Sequence, residues 1–175
     1  ASAPTVIHVV NFDHTPVVTA PPTALASEGA RVTVVVQAAD PDGDPIATLS
    51  ADLSALPAGS NAAFTPGAGN ASGLLTWTPT YADSGGPYRV TFSAVNAQTG
   101  RATTAITVAN VDRAPVPAAP ATVTASDHAT LTLTVTASDP DGDPITGLTA
   151  DLSHLPAGNH ATFVAGPQNV TGTLT

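Results

Sequence analysis

The sequence Asp-Pro-Asp-Gly-Asp-Pro-Ile occurs twice in this chain, at residues 40–46 and again at residues 139–145. The similarity extends well beyond this motif, because 18 of 25 positions are identical between residues 40–64 and 139–163 at a fixed offset of 99. An internal repeat of this length indicates that the chain is built from copies of one folding unit. The repeating unit is therefore 99 residues long.

The constant offset divides the chain into three parts. Residues 14–112 form one complete copy, and residues 113–175 form a second copy that stops before its last strands. Residues 1–13 correspond to the last strand and linker of a preceding copy. We interpret the chain as part of a longer array in which each repeat contacts its neighbours. In an alternative interpretation, residues 1–10 pair with the incomplete copy of another chain.

Alternation of apolar and polar side chains predicts the secondary structure. It is clearest in residues 32–38, 131–137 and 89–94, and it is typical of strands with one buried face. Shorter candidate strands are residues 16–20, 46–52, 62–65, 73–78 and 106–108. About seven strands per repeat predict an all-β fold of tandem immunoglobulin-like β-sandwiches. A disordered Pro- and Thr-rich linker is the alternative, but the alternation is too regular for it.

Composition excludes several functions. The chain has 13 acidic residues against four Arg and no Lys, and a net charge of −9 does not suit nucleic acid or an anionic membrane. No apolar run approaches the roughly 20 residues of a membrane span, so we expect no membrane insertion in this segment. Without Cys there is no disulfide framework. No nucleophile–base motif or phosphate-binding loop is present, and we therefore predict that the chain is not an enzyme.

The acidic residues recur at equivalent positions of the two copies. The pairs are Asp13 and Asp112, Glu28 and Asp127, Asp40 and Asp139, Asp42 and Asp141, Asp44 and Asp143, and Asp52 and Asp151. The remaining acid is Asp83. If successive strands alternate in direction, all of these residues lie at the ends of the sandwiches. The bottom of one copy and the top of the next would then face each other with carboxylates.

Facing carboxylates repel, and a bound cation or protonation would relieve the repulsion. Ca²⁺ takes six to eight oxygen ligands, whereas Zn²⁺ prefers Cys or His, and the five His do not recur between the copies. The predicted calcium ligands are Asn11, Asp13, Asp40, Asp42, Asp44, Glu28, Asp83, Asn110, Asp112, Asp139, Asp141 and Asp143. The alternative interpretation of the repeated loop is a plain turn, because Pro-Asp-Gly favours turns and Asp caps its own backbone.

A family resemblance adds to this interpretation. Residues 106–115 resemble the exit linker of cadherin-type repeats. The aspartate loop, together with residues 56–59, 75–79 and 88–92, is similar to the Ig-like, cadherin-like repeats of large bacterial surface proteins. The resemblance implies a cadherin-like sandwich in each repeat and calcium between successive domains.

The same resemblance assigns individual ligands. Glu28, Asn110, Asp112, Asp139 and Asp141 stand at positions that match cadherin ligands. Arg113 stands where the cadherin linker has another polar ligand, which implies one weak ion per junction. Such a site suits calcium at extracellular, millimolar concentrations.

We therefore predict a secreted or cell-surface structural or adhesive protein. Its repeats would form an extended, calcium-stiffened rod or fibre on a bacterial surface, with self-association or a surface glycan or protein as further partners. The alternative is a carbohydrate-binding array that accompanies an enzyme encoded elsewhere in the gene. In that case Trp77 and Tyr81 would stack on sugars, although a lone Trp on a sandwich strand is more often part of the core. Asn70 and Asn169 lie in glycosylation sequons at equivalent positions.

Overall fold

The computed structural model describes residues 3–10, 12–126 and 128–175. Two residues singled out above, Asn11 and Asp127, lie outside the described residues. The chain divides into two compact units, Ala1–Val111 and Asp112–Thr175. The described part contains no helix that is long and apolar enough to cross a membrane.

The described residues of the first unit form eight strands in two sheets. The strands are β1 (Val17–Thr19), β2 (Thr23–Ser27), β3 (Val32–Ala39), β4 (Thr48–Asp52), β5 (Ala63–Pro66), β6 (Ser72–Trp77), β7 (Gly85–Val95) and β8 (Thr99–Ala109). One sheet has the order β1-β3-β6-β5 and the other has the order β2-β8-β7-β4. The prediction of an all-β, immunoglobulin-like fold is confirmed.

The first predicted strand, residues 16–20, is followed by a second strand that the sequence pattern did not indicate. β1 pairs antiparallel with β3, whereas β2 pairs parallel with β8 in the other sheet. Pro21 and Pro22 lie at the crossing, where neither can donate a ladder hydrogen bond. Their carbonyls accept hydrogen bonds instead, at 2.7 Å from Thr104 Oγ1 and at 3.0 Å from Ala105 N.

The core of the first unit lies between the two sheets. Val34 and Leu75 come from one sheet, and Phe92 and Ile106 come from the other, and all four are fully buried. Trp77 is also in this core, where its ring meets the Tyr88 ring edge-on with 5.4 Å between centroids. The suggested sugar-stacking role of Trp77 is therefore wrong, because the side chain is not accessible to a ligand.

The second unit has one sheet among the residues that the structure describes. Its strands are β9 (Val116–Ala118), β10 (Leu133–Ser138), β11 (Phe163–Ala165) and β12 (Thr171–Leu174). Their order, β11-β12-β10-β9, matches β5-β6-β3-β1 of the first unit at the offset of 99. Residues 147–151, the equivalent of β4, form no strand. In the first unit, β4 is held by β7, and no equivalent of β7 lies within residues 113–175.

Candidate functional site

The repeated aspartate loop of the first unit is an ordered turn that follows β3. Asp42 N donates a hydrogen bond to Asp40 Oδ1 at 2.8 Å, and Gly43 N donates one to Asp40 O at 3.1 Å. Gly43 has a φ of 83°, a conformation that L side chains rarely adopt. Ile46 is buried and anchors the end of the loop in a small apolar cluster. The turn interpretation is therefore correct for the backbone of this loop.

Four predicted ligands of the first copy lie close together at this loop. The pKa of Asp44 is raised, first by partial desolvation and then by the charges of Asp40, Asp13 and Asp42. Asp13 is held beside the loop because its carbonyl accepts a 2.6 Å hydrogen bond from Gln98 Nε2. We call Asp13, Asp40, Asp42 and Asp44 the first acidic cluster. Because the charges of the other three aspartates disfavour the ionised form of Asp44, a cation bound there would stabilise the loop.

The second unit repeats this arrangement. Asp141 N donates to Asp139 Oδ1 at 2.8 Å, and Gly142 N donates to Asp139 O at 3.2 Å. The pKa of Asp143 is raised by desolvation and by the charges of Asp112, Asp139 and Asp141. We call these four aspartates the second acidic cluster. The same four positions of the repeat thus lie together in both copies.

Each cluster is also held by the residue that follows the linker aspartate. In the first unit, His14 N donates to Asp42 Oδ2 at 2.7 Å, and His14 Nδ1 lies 2.9 Å from Asp42 Oδ1. These hydrogen bonds, from the backbone first and then from the ring, lower the pKa of Asp42. We call this contact the first clasp.

Arg113 makes the equivalent contact in the second unit, which we call the second clasp. Arg113 N donates to Asp141 Oδ2 at 2.7 Å, and Nε and Nη2 donate to Asp141 Oδ1 at 2.8 and 2.7 Å. The guanidinium contact is the main reason that the pKa of Asp141 is lowered. Sequence reasoning missed both clasps. The available signal was that a basic side chain follows the linker aspartate in both copies, at His14 and Arg113.

Two other predicted ligands lie at the opposite end of the first unit. Glu28 is only 3 % exposed, and its Oε1 and Oε2 accept hydrogen bonds from Ser84 N at 3.0 Å and Val111 N at 2.8 Å. Buried Asp83 accepts from Thr80 N and Thr80 Oγ1 at 2.7 and 2.8 Å. Glu28 thus fixes the backbone just after β8, and Asp83 closes a turn. Both carboxylates have structural partners that the sequence did not reveal.

The expectation that every acidic residue lies at a sandwich end is wrong for Asp52. This residue pairs with Thr91, in the middle of β7, and its Oδ1 accepts a 3.0 Å hydrogen bond from Ser54 N. Asp151 makes the same 2.9 Å turn contact with Ser153 N. These two acids stabilise turns and stand apart from the clusters.

The asparagines of the two sequons also have structural roles. Asn70 Nδ2 donates to Ile46 O and to Ala47 O, both at 2.9 Å, and Asn169 Nδ2 donates to Ile145 O at 2.8 Å. Both residues are in the left-handed region, with φ of 56° and 58°. Each asparagine therefore ties a short turn to the end of its aspartate loop.

The donor atoms of each cluster suit a hard cation, because all of them are oxygens. Within the described ranges, 3–10, 12–126 and 128–175, no three His, Cys, Asp or Glu side chains already surround a position for a metal ion. Ligation by these carboxylates would therefore require side-chain rearrangement. Asn110 lies on the exposed segment that follows β8. None of the contacts described above brings it to the first acidic cluster, which belongs to the same unit.

Comparison with solved structures finds 766 similar chains. The SrpA adhesin from Streptococcus sanguinis is 16 % identical with a TM-score of 0.47, and the match covers 78 % of this chain and 92 % of that one. The M1 domain from titin is 15 % identical with a TM-score of 0.41, and covers 54 % of this chain and 95 % of that one. Domains 4–9 of the surface layer protein SbsC are 12 % identical with a TM-score of 0.36, over 94 % of this chain and 27 % of that one. This chain thus spans about a quarter of the SbsC structure.

Sequence comparison is more specific. No curated protein matches the chain. A family model described as the bacterial Ig domain matches residues 13–109, which include all eight strands of the first unit. The chain therefore belongs to the bacterial Ig domain family.

Proposed function

We propose that this chain is an extracellular structural or adhesive segment of a bacterial surface protein, and that calcium stiffens it at the acidic ends of its repeats. Membership of the bacterial Ig domain family supports the structural or adhesive role. The observation that carries the calcium proposal is the recurrence of four aspartates at the same loop of both copies, where the charges of three of them raise the pKa of the fourth, Asp44 or Asp143. Neighbouring repeats are the first partners that we propose, with self-association or a surface glycan or protein beyond them.

A bound ion would act on the linker as well as on the loop. Asp13 and Asp112 belong to the linker segments, whereas Asp44 and Asp143 belong to the loops. The charge of Asp13 repels that of Asp44, and the charge of Asp112 repels that of Asp143. A cation shared by linker and loop oxygens converts this repulsion into attraction and restricts the linker. The predicted set also includes Glu28, Asp83 and Asn110, which would contribute from the other end of a repeat.

Melting of the full chain with and without calcium tests this proposal. A site with a millimolar dissociation constant stabilises the folded state by about 1.4 kcal/mol when calcium is at about ten times that constant. We expect calorimetry to detect binding and small-angle scattering to show a stiffer chain when calcium replaces EDTA. Magnesium, which demands a smaller octahedral site, is the matched ion control.

A pair of double variants separates the clusters from charge in general. Asp44→Asn with Asp143→Asn should abolish most of the calcium-dependent rise in melting temperature, because it removes one carboxylate from each cluster. Asp52→Asn with Asp151→Asn removes the same number of charges from turns outside the clusters, and should leave the rise intact. Absence of any calcium-dependent change in the unmodified chain would refute the calcium proposal.

A further inference from the structure

The two clasps differ in strength although they occupy equivalent positions. The side chain of Arg113 is 35 % exposed and that of Asp141 is 9 % exposed, whereas the values for His14 and Asp42 are 54 % and 26 %. Arg113 Nη2 also donates a 2.7 Å hydrogen bond to Pro140 O, so that the guanidinium holds the loop at two residues. The second clasp is therefore more extensive and better shielded from water.

The chemistry of the two side chains increases this difference. A guanidinium is planar, always charged and presents several N–H groups in a fixed arrangement, which makes its hydrogen bonds to a carboxylate strong and directional. The His14 ring reaches Asp42 through one nitrogen, Nδ1. Arg113 thus places one permanent positive charge against Asp141, one of the four carboxylates of the second acidic cluster.

We propose that Arg113 is a positioning residue that fastens residues 112–115 to the aspartate loop of the second unit without a metal ion. The first unit, with His14 at the equivalent position, depends more on calcium for the same fastening. The first statement stands on the hydrogen bonds of Arg113 alone, whereas the second rests on the calcium function proposed above. The consequence is that successive repeats need not respond equally to calcium.

The geometry also predicts that the second acidic cluster binds calcium more weakly than the first. Asp141 Oδ1 accepts two N–H groups and Oδ2 accepts one, so that few lone pairs remain for a cation. The positive charge of Arg113 further disfavours a second cation nearby. An Arg at this position therefore lowers the calcium affinity of the cluster and provides a contact that does not need calcium.

Amide hydrogen exchange in the full chain, measured by NMR in EDTA, tests the proposal directly, because the amides of His14 and Arg113 are themselves clasp donors. Arg113→Ala should accelerate exchange of the residue 113 amide by about tenfold, since the Asp141 carboxylate loses the side chain that holds it. Arg113→Lys should give a partial rescue, because it keeps the charge without the planar geometry. Arg101→Ala, which removes an exposed arginine from β8, is the control and should change neither amide.

A reciprocal variant makes the test independent of any loss of folding. His14→Arg should slow exchange of the residue 14 amide and make the first unit resemble the second. Unchanged exchange at residue 113 in Arg113→Ala, or at residue 14 in His14→Arg, would overturn the proposal.

A calcium arm separates this proposal from the proposed function. Calcium should slow exchange at residue 14 more than at residue 113, and His14→Arg should remove the difference. If calcium affects neither amide but the Arg113 variants behave as expected, the calcium function fails and the role of Arg113 stands. If calcium slows both amides equally and the Arg113 variants change nothing, the role of Arg113 fails and the calcium function stands.

Discussion

Leu75 in the first unit and Leu174 in the second occupy the same position of the repeat, but Leu75 is fully buried and Leu174 is partly exposed. The backbone around them is nevertheless the same. Gly67 N donates to Ser72 O at 2.7 Å, and its equivalent, Gly166 N, donates to Thr171 O at 2.8 Å. Identical turns and hairpins thus form in two settings that differ in their interiors.

The second sheet causes the difference. In the first unit, β7 and β8 contribute Val90, Phe92, Ile106 and Val108 to the core. The residues of the second copy present in this chain include no equivalents of these strands. The comparison shows that short-range hydrogen bonds specify the loops and the first sheet, whereas burial of the apolar faces requires partners far along the chain.

The largest expected effect comes from shortening the two equivalent leucines. Leu75→Ala should destabilise the first unit by about 2–5 kcal/mol, because it leaves a cavity in a packed core. Leu174→Ala should cost less than about 1 kcal/mol, because its side chain is already partly hydrated. Urea unfolding followed by the fluorescence of Trp77, the single Trp of the chain, reports on the first unit. Amide exchange in β10 and β12 reports on the second.

Equal losses at the two leucines would break the comparison. They would show that the apolar face of the second unit is as well covered in solution as that of the first. Val35→Ala, on the exposed face of β3, is a control for substitution within a strand and should have little effect on either unit.

A smaller effect, similar in both units, is expected at the two asparagines of the sequons. Asn70→Ala and Asn169→Ala should each cost about 1–2 kcal/mol, because a carbonyl of the loop end loses its donor and a left-handed residue is replaced by a less tolerant one. Amide exchange at Gly43 and Gly142 reports local unfolding of the two aspartate loops and therefore measures this loss. A large effect in one unit alone would mean that this contact depends on the second sheet.

The smallest effects, of opposite sign, are expected within one loop. The lowered pKa of Asp42 means that its charge stabilises the folded chain above the reference value of 3.8, and that this contribution is lost as the pH falls through the folded value. The raised pKa of Asp44 means that its charge is unfavourable, and that the penalty disappears as the pH falls through that higher value. At neutral pH in EDTA, Asp42→Asn should lower the melting temperature and Asp44→Asn should raise it.

Acid conditions and the second unit provide the checks. As the pH falls, the melting-temperature difference at Asp44 should shrink first, because the pKa of Asp44 is raised above 3.8. The difference at Asp42 should shrink only below pH 3.8, because the pKa of Asp42 is lowered. Asp141→Asn and Asp143→Asn should repeat the two signs, with the loss at Asp141 greater because Arg113 makes more contacts than His14. The same sign for both substitutions in one loop would show that repulsion within the cluster is not significant.

Much of the first sheet was predictable from the sequence. The candidates 62–65 and 73–78 correspond to β5 (Ala63–Pro66) and β6 (Ser72–Trp77), because alternation and turn residues act over a few positions. β2 was not predictable, since its short run carries an exposed Leu25 and pairs with a strand about 80 residues later. The Ala-rich segment gives no periodic signal of that pairing.

The candidate site was predictable in its composition but not in its contacts. The repeat identified the four aspartates of each cluster, because recurrence at a fixed offset does not require knowledge of the fold. It did not show that Glu28 binds the backbone after β8, or that Asp52, at the end of β4, pairs with Thr91 in the middle of β7. Those contacts join residues that are 83 and 39 positions apart.

The sequence by itself determined the all-β class and the turn at each aspartate loop, and it showed that the aspartates of both acidic clusters recur at an offset of 99. Periodicity, turn chemistry and repetition act locally, so they can be read without coordinates. Only the tertiary structure decided that His14 and Arg113 hold the loops, and that Leu75 and Leu174 differ in burial. These properties depend on which distant strands and side chains are present to exclude water, and the pattern around a single residue does not contain that information.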